Sequence, residues 1–144
     1  MVERSFQQEI EAICIKDPRY AADAYYFLRE SLDYTSKALA REQRASNQPR
    51  HVTGQELCQG VREYALQEFG PLASLVLTTW GLHTTADIGE IVYNLIETGK
   101  LGKSEQDRKS DFTSVYDFED AFVKPYAIDQ PLTPVRSKRK KIED

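Results

Sequence analysis

Apolar residues recur at helical spacing along most of the chain, and the runs are bounded by residues that favour helix ends. The clearest run has an apolar stripe with the period of an α-helix: Ile88, Ile91, Val92, Leu95 and Ile96. Thr84 or Thr85 can accept the free amide hydrogens of the first turn, and Gly99 can close the last turn. The pattern predicts an amphipathic helix that ends at Gly99.

Three further helices are predicted from boundary signals. Ser5 with Gln8 and Thr53 with Glu56 have the spacing of capping boxes, so a helix is expected to begin after Ser5 and another after Thr53. Residues Pro71–Trp80 are apolar on nearly all sides. Such a run predicts a central helix buried all round.

A long helix is predicted from Tyr20 to about Gln43, with aromatic rings on more than one face. Tyr25, Tyr26 and Phe27 are consecutive, so a helix directs their side chains differently. Core packing is the ordinary role of such rings, but aromatic residues are also enriched at the centres of protein interfaces. Tyr25 and Tyr26 are therefore candidates for an interaction surface.

After Gly99 the period changes from helical to the alternation of a strand. Residues 112–116 alternate between two faces, and residues 101–104 are the predicted hairpin partner. With the helix that ends at Trp80 and the turn at Gly81, this hairpin completes the outline of a winged helix.

The predicted fold class is therefore mainly α with a small β-hairpin (α+β). A helical N-terminal part, residues 5–45, is followed by a winged-helix-like unit, residues 53–123. Both parts lie in one α-rich domain, residues 1–128, which suits a chain of 144 residues. Residues 129–144, which are polar and interrupted by proline, are predicted to be a disordered basic tail.

The charge is divided unevenly between body and tail. The whole chain has a net charge of −4; residues 130–144 contain five basic and two acidic groups, a net +3, which leaves −7 for the rest. An acidic body argues against the whole domain binding a phosphate backbone. The basic residues of the tail are candidate polyanion contacts: Arg136, Lys138, Arg139, Lys140 and Lys141.

The residues offer no recognisable catalytic, metal or cofactor motif. Cys14, Cys58, His51 and His83 lack the spacing of zinc ligands. His83 is next to threonines but has no identifiable third group for nucleophilic catalysis. We therefore expect a protein that is not an enzyme and that has no cofactor and no metal.

No membrane segment or signal peptide is predicted either. The longest uncharged apolar stretch, residues 71–82, is too short to cross a bilayer. The first residues, MVERSFQQEIEAI, lack the unbroken apolar core of a signal peptide. The expected location is the cytoplasm.

Four stretches carry a resemblance to a known family: YYFLRESLDYT at Tyr25–Thr35, HVTGQELCQGVREYA at His51–Ala65, TTWGLHTTADIGEIVYNLI at Thr78–Ile96 and SDFTSVYDFEDAF at Ser110–Phe122. They resemble a conserved-hypothetical bacterial family found mainly in planctomycete and verrucomicrobial genomes. The WGLxxTxDIGEIV segment is the most specific part, and the similarity covers about residues 6–126. The resemblance implies a bacterial cytoplasmic protein. It implies no site residues, because no activity is assigned to that family.

Two functions remain open on this evidence. The first is a protein-interaction module with an unknown protein partner, built on the winged-helix-like scaffold. Its candidate interaction face is the polar side of the predicted helix together with two tyrosines: Asp87, Glu90, Asn94, Glu97, Tyr25 and Tyr26. The alternative is nucleic-acid binding through the wing residues Arg108 and Lys109 and through the basic tail. We favour the first, because that helix face has three acids and no Arg or Lys. Readers of base edges usually offer Arg, Lys, Asn or Gln, and only Asn94 fits.

Overall fold

The structure is a computed structural model that describes residues 5–42, 51–103 and 107–127, and all of its regular elements are helical. The five longer helices are α1 (Phe6–Lys16), α2 (Ala22–Glu42), α3 (Gly54–Phe69), α4 (Ala73–Thr79) and α5 (Thr85–Glu97). The shorter turns are 3₁₀ at Gly70–Leu72, Lys109–Phe112 and Lys124–Tyr126, and π-helical at Glu119–Val123. All five predicted helices are thus confirmed. The predicted tail, residues 129–144, lies outside the described residues.

The predicted helix starts are also confirmed. Both capping boxes form, with the Ser5 side chain accepting from the Gln8 amide and the Thr53 side chain accepting from the Glu56 amide. A third capping box begins α5, where the Thr84 side chain accepts from the amide of Asp87. Each box satisfies amide groups that a helix start would otherwise leave unpaired.

One core joins the N-terminal helices to the rest of the described chain. Buried side chains from all five helices belong to it, among them Ile10, Tyr25, Leu28, Val61, Leu77 and Ile91. Helix α2 packs along α3, and both contact α5. The two predicted parts, 5–45 and 53–123, therefore share one hydrophobic interior.

The predicted β-hairpin, and with it the winged helix, is wrong. The described residues contain no strand; Lys109–Phe112 form a 3₁₀ turn, and residues 101–103 have no partner strand. Ser114 has a φ of 52°, which breaks an extended conformation. The protein is all-helical over its described part, and α4, the Gly81 turn and α5 have no wing beside them.

Side-chain contacts explain why residues 109–115 do not pair as a strand. The buried Thr85 hydroxyl donates to the carbonyl oxygen of Phe112 at 2.6 Å and accepts from the amide of Val115 at 3.1 Å. These bonds replace those of a strand partner. The Phe112 ring lies between two helical glycines: a Cβ added at Gly89 would be 2.8 Å from Phe112 Cβ, and one added at Gly54 would be 3.1 Å from its ring. The apolar alternation of this segment reflects that slot rather than a sheet.

The prediction that Pro71–Trp80 is buried all round is also wrong. Ala73 and Leu77 are fully buried, but Leu72 is 60% and Leu75 is 64% exposed. Helix α4 is short, and α3 and the π-helical turn pack against it. The opposite face is left open.

Candidate interaction surface

The polar side of α5, predicted as an interaction face, lies against the loop between α1 and α2. Arg19 Nη2 is 3.2 Å from Glu90 Oε1, and the Tyr20 hydroxyl donates to Asp87 Oδ1 at 2.6 Å. The Asn94 amide donates to Asp17 Oδ2 at 3.0 Å and to the Tyr25 hydroxyl at 2.9 Å. Asp87, Glu90 and Asn94 therefore take part in a polar network that fastens this loop to α5.

The network stabilises its members in particular charge states. Hydrogen bonds from Arg19 hold the pKa of Asp17 well below its usual range. Burial, followed by the bond to Asp87, raises the pKa of Tyr20, and burial raises the pKa of Tyr25 to about 12. Asp17 is thus ionised and both tyrosines are neutral hydrogen-bonding groups near pH 7.

The structure does not bring the other predicted contact residues together on one face. Glu97 is exposed on α5, whereas Tyr26 is half-buried on α2 with its ring edge-on to Phe6. Arg108 is exposed, and its backbone amide donates to Asp111. Lys109 Nζ lies 3.3 Å from Glu90 and 5.8 Å from the centre of the Tyr93 ring. The tail candidates Arg136, Lys138, Arg139, Lys140 and Lys141 lie outside the described residues.

A surface that the sequence analysis did not identify runs across α2, α3 and the end of α4. We call it the aromatic strip; it comprises Tyr34, Tyr64, Phe69 and Trp80, all half-buried, over the buried ring of Phe27. Neighbouring ring centres are 5.4 Å apart for Tyr34 and Tyr64, 5.4 Å for Tyr64 and Phe27, and 5.6 Å for Phe27 and Phe69. Trp80 is 5.8 Å from Phe69. The rings form a continuous row.

Two exposed leucines follow Phe69 in the chain: Leu72 ends the 3₁₀ turn Gly70–Leu72, and Leu75 is in α4. Residues of an α-helix are rotated by about 100° from one to the next, so Val76 lies between the Trp80 side of α4 and the side of Leu72 and Leu75. Val76 is half-buried and the two leucines are exposed. We call Leu72 and Leu75 the leucine ridge. Phe69 of the strip and Leu72 of the ridge are three residues apart in the chain, and strip and ridge together are the candidate surface.

A separate cavity lies between α2, the start of α3 and α5. Its volume is about 480 Å³, with an apolar lining that includes Leu57, Val92 and Phe112. At its rim the imidazole Nε2 of His51 is 2.6 Å from Asp107 Oδ2. Tyr93 is another lining residue, and its buried hydroxyl has no hydrogen-bond partner among the described residues.

Comparison with known proteins supplies no relative from which a role could be inferred: no family model, no curated protein and no solved structure matches the chain. Among residues 5–42, 51–103 and 107–127, no three histidine, cysteine or acidic side chains are grouped as metal ligands would be. Nor does any helix there have the length and apolar character needed to cross a membrane.

The strip escaped sequence analysis because its rings are far apart in the chain. Tyr34 is in α2 and Tyr64 is in α3. Only the packing of α2 on α3 places one beside the other. The spacing of the leucines is a weak indication of the ridge in the sequence, because Leu72 and Leu75 are three residues apart and on a different helix face from Ala73 and Leu77.

Proposed function

We propose that this protein is a non-enzymatic protein-interaction domain that binds its partner through the aromatic strip and the leucine ridge. The observation that carries the proposal is an apolar surface that the described chain leaves open, with Leu72 and Leu75 60% and 64% exposed beside four half-buried rings. Contiguous apolar surface rimmed by polar groups marks interaction sites in proteins. Tyrosine and tryptophan are also the residues most often found at the energetic centres of interfaces.

The proposal includes a cytoplasmic location. Cys14 and Cys58 are free thiols, one half-buried and one buried. Burial raises the pKa of the Cys58 thiol to about 12, so it is not an activated nucleophile. Two unpaired cysteines suit a reducing compartment.

The nucleic-acid alternative now depends on the tail. Without a wing, Arg108 and Lys109 do not flank a reading helix, and Lys109 is engaged by Glu90. On the polar face of α5, Asp87 and Asn94 are hydrogen-bonded to the α1–α2 loop. Contacts through residues 136–141 stay a prediction, which a truncation described below tests.

The test of the proposed function is partner capture with surface variants. Leu72→Ser combined with Leu75→Ser removes the ridge without touching the core. Ile15→Ser is the matched control, because Ile15 is an aliphatic side chain that is 85% exposed but belongs to α1 and not to the ridge. Tagged chains are expressed in the source cells, and captured proteins are quantified by mass spectrometry. Circular dichroism confirms that each variant is folded.

We expect a defined protein to be captured by the unmodified chain and by the Ile15 variant but lost with the ridge variant. Photo-crosslinking from position 75 to that same protein would place it on the ridge. Equal capture by all three chains, or equal loss with the Ile15 variant, would refute the proposed surface.

A further inference from the structure

The last described residues lie beside one end of the aromatic strip. Tyr126 belongs to the final 3₁₀ turn, and a Cβ added at Gly70 would be 4.0 Å from its hydroxyl oxygen. Gly70 directly follows Phe69, a member of the strip. The π-helical turn before Tyr126 packs against α4. The chain after Ala127 therefore starts near the Phe69 end of the strip.

The sequence that follows contains a pair of prolines with the spacing used in polyproline recognition. Residues 128–135 read IDQPLTPV; Pro131 and Pro134 are three apart, and no other two of the six prolines have this spacing. Each proline fixes its own φ and directs the residue before it toward an extended conformation. A polyproline II helix has three residues per turn, so two prolines at this spacing share one edge, about 9 Å apart.

The strip has the chemistry that recognises such an edge. Proline-rich segments dock into grooves lined by aromatic side chains, because a polyproline II helix is preformed and loses little conformational entropy. The half-buried rings of Phe69 and Trp80 have centres 5.8 Å apart and planes at 80° to each other. The buried Phe27 ring supports both, at 5.6 Å and 5.5 Å. Proline rings pack on these apolar faces without needing charge of either sign.

The length of the connection suits a contact within one molecule. Pro131 is four residues after Ala127 and Pro134 is seven, so an extended chain carries them up to about 13 Å and 23 Å from Ala127. A short linker gives an effective concentration in the millimolar range. A contact with a Kd of about 1 mM is then formed in about half of the molecules.

We infer that the strip is a proline-recognition surface and that Pro131 and Pro134 of the same chain occupy its Phe69–Trp80 end. The inference goes beyond the proposed function, because the contact needs no partner. It leaves the leucine ridge open. A partner that also covers the strip has to displace the prolines, so residues 131–134 are an internal competitor.

Trp80 is the one tryptophan of the chain, so acrylamide quenching of its emission in the full-length protein reports on this surface. Pro131→Ala with Pro134→Ala removes both rings. Lys140→Ala with Lys141→Ala is the matched control, which changes the same tail but keeps the prolines. We expect the proline variant to raise the quenching constant by up to about twofold, as half occupancy implies, and the lysine variant to leave it unchanged.

Two further measurements locate the contact. A synthetic peptide of residues 128–137, added in excess to the full-length proline variant, should restore the protection of Trp80; the same peptide with alanine at both proline positions should not. A photo-reactive residue at position 133 of the full-length chain should crosslink to peptides that contain Phe69 or Trp80. The same group at position 142 should not favour those peptides.

Three results would overturn the inference. One is equal quenching of the unmodified chain and the proline variant. Another is an equal rise with the lysine variant, which would make tail charge the cause. The third is crosslinking between two chains together with self-association by sedimentation, because the occupant would then be a second copy. If the prolines give no protection while the ridge still captures a protein, the inference falls and the proposed function stands; protection without capture would have the opposite meaning.

Discussion

Replacing Gly89 with alanine is the sharpest test of how the segment after α5 packs. Glycine inside a helix ordinarily costs about 1 kcal/mol relative to alanine, so this change would stabilise a helix whose face is open. In this structure the added Cβ would be 2.8 Å from both Cβ and Cγ of Phe112 and 2.9 Å from Cδ2. Real Cβ atoms do not approach other carbons so closely, so the ring must move or the helix must shift.

The magnitude follows from how firmly Phe112 is held. Its carbonyl oxygen accepts from Thr85 at 2.6 Å, and the far side of its ring faces Gly54, where a Cβ would be 3.1 Å away. The Phe112 ring therefore has no room to move away from the added Cβ, and overpacking of a tight core costs about 1–3 kcal/mol. Against a gain of about 1 kcal/mol in helix propensity, we expect Gly89→Ala to lower the free energy of unfolding by about 1 kcal/mol.

Urea unfolding followed by far-ultraviolet circular dichroism measures this difference. Ser36→Ala, at an exposed position of α2, is the propensity control and should gain about 0.5 kcal/mol or less. Phe112→Leu should partly rescue the Gly89 variant, because the smaller side chain leaves room to shift toward Gly54. The resulting coupling energy should be about 0.5 kcal/mol or more.

A Gly89→Ala chain that is about 1 kcal/mol more stable than the unmodified protein would refute the reasoning. It would mean that Phe112 does not occupy the slot between the two glycines. Additive effects of Gly89→Ala and Phe112→Leu on the free energy of unfolding would lead to the same conclusion, since contacting residues are expected to couple.

Two further predictions concern the polar network and the tail. Because Arg19 lowers the folded-state pKa of Asp17, its carboxylate stabilises the fold above the unfolded-state pKa of about 3.9 and ceases to do so as the pH falls toward the folded-state value. The difference in urea midpoint between the unmodified chain and Asp17→Asn should therefore be largest above about pH 5 and shrink below about pH 4; a constant difference would contradict this. Removing residues 132–144 should change the free energy of unfolding by less than about 0.5 kcal/mol, and under the nucleic-acid alternative it should abolish salt-sensitive binding to single-stranded and duplex nucleic acid. Identical salt titrations of both chains would leave that alternative without support.

The local elements of this protein were predictable because their causes are local. The capping boxes at Ser5 and Thr53 and the apolar stripe of α5 depend on residues within a few positions of one another. Gly81 and Gly99 adopt positive φ angles of 98° and 83° at the ends expected of them. The number and the order of the five longer helices therefore followed from the pattern alone.

The interaction surface was decided by packing between elements that are distant in the chain. The alternating pattern of residues 112–116 fits a strand, but it also fits a loop that places the Phe112 ring between two helices. Only the contacts with Thr85, Gly54 and Gly89 show that this segment is such a loop. Likewise the apolar run of α4 does not reveal that just one face is covered. Which polar groups of α5 stay exposed depends on where the α1–α2 loop packs. Because that loop contacts Asp87, Glu90 and Asn94, these residues have a structural role. Which side chains are buried or paired depends on the assembled fold, because side chains are stabilised by contacts with other elements. The sequence of a single segment does not show which elements will pack against it.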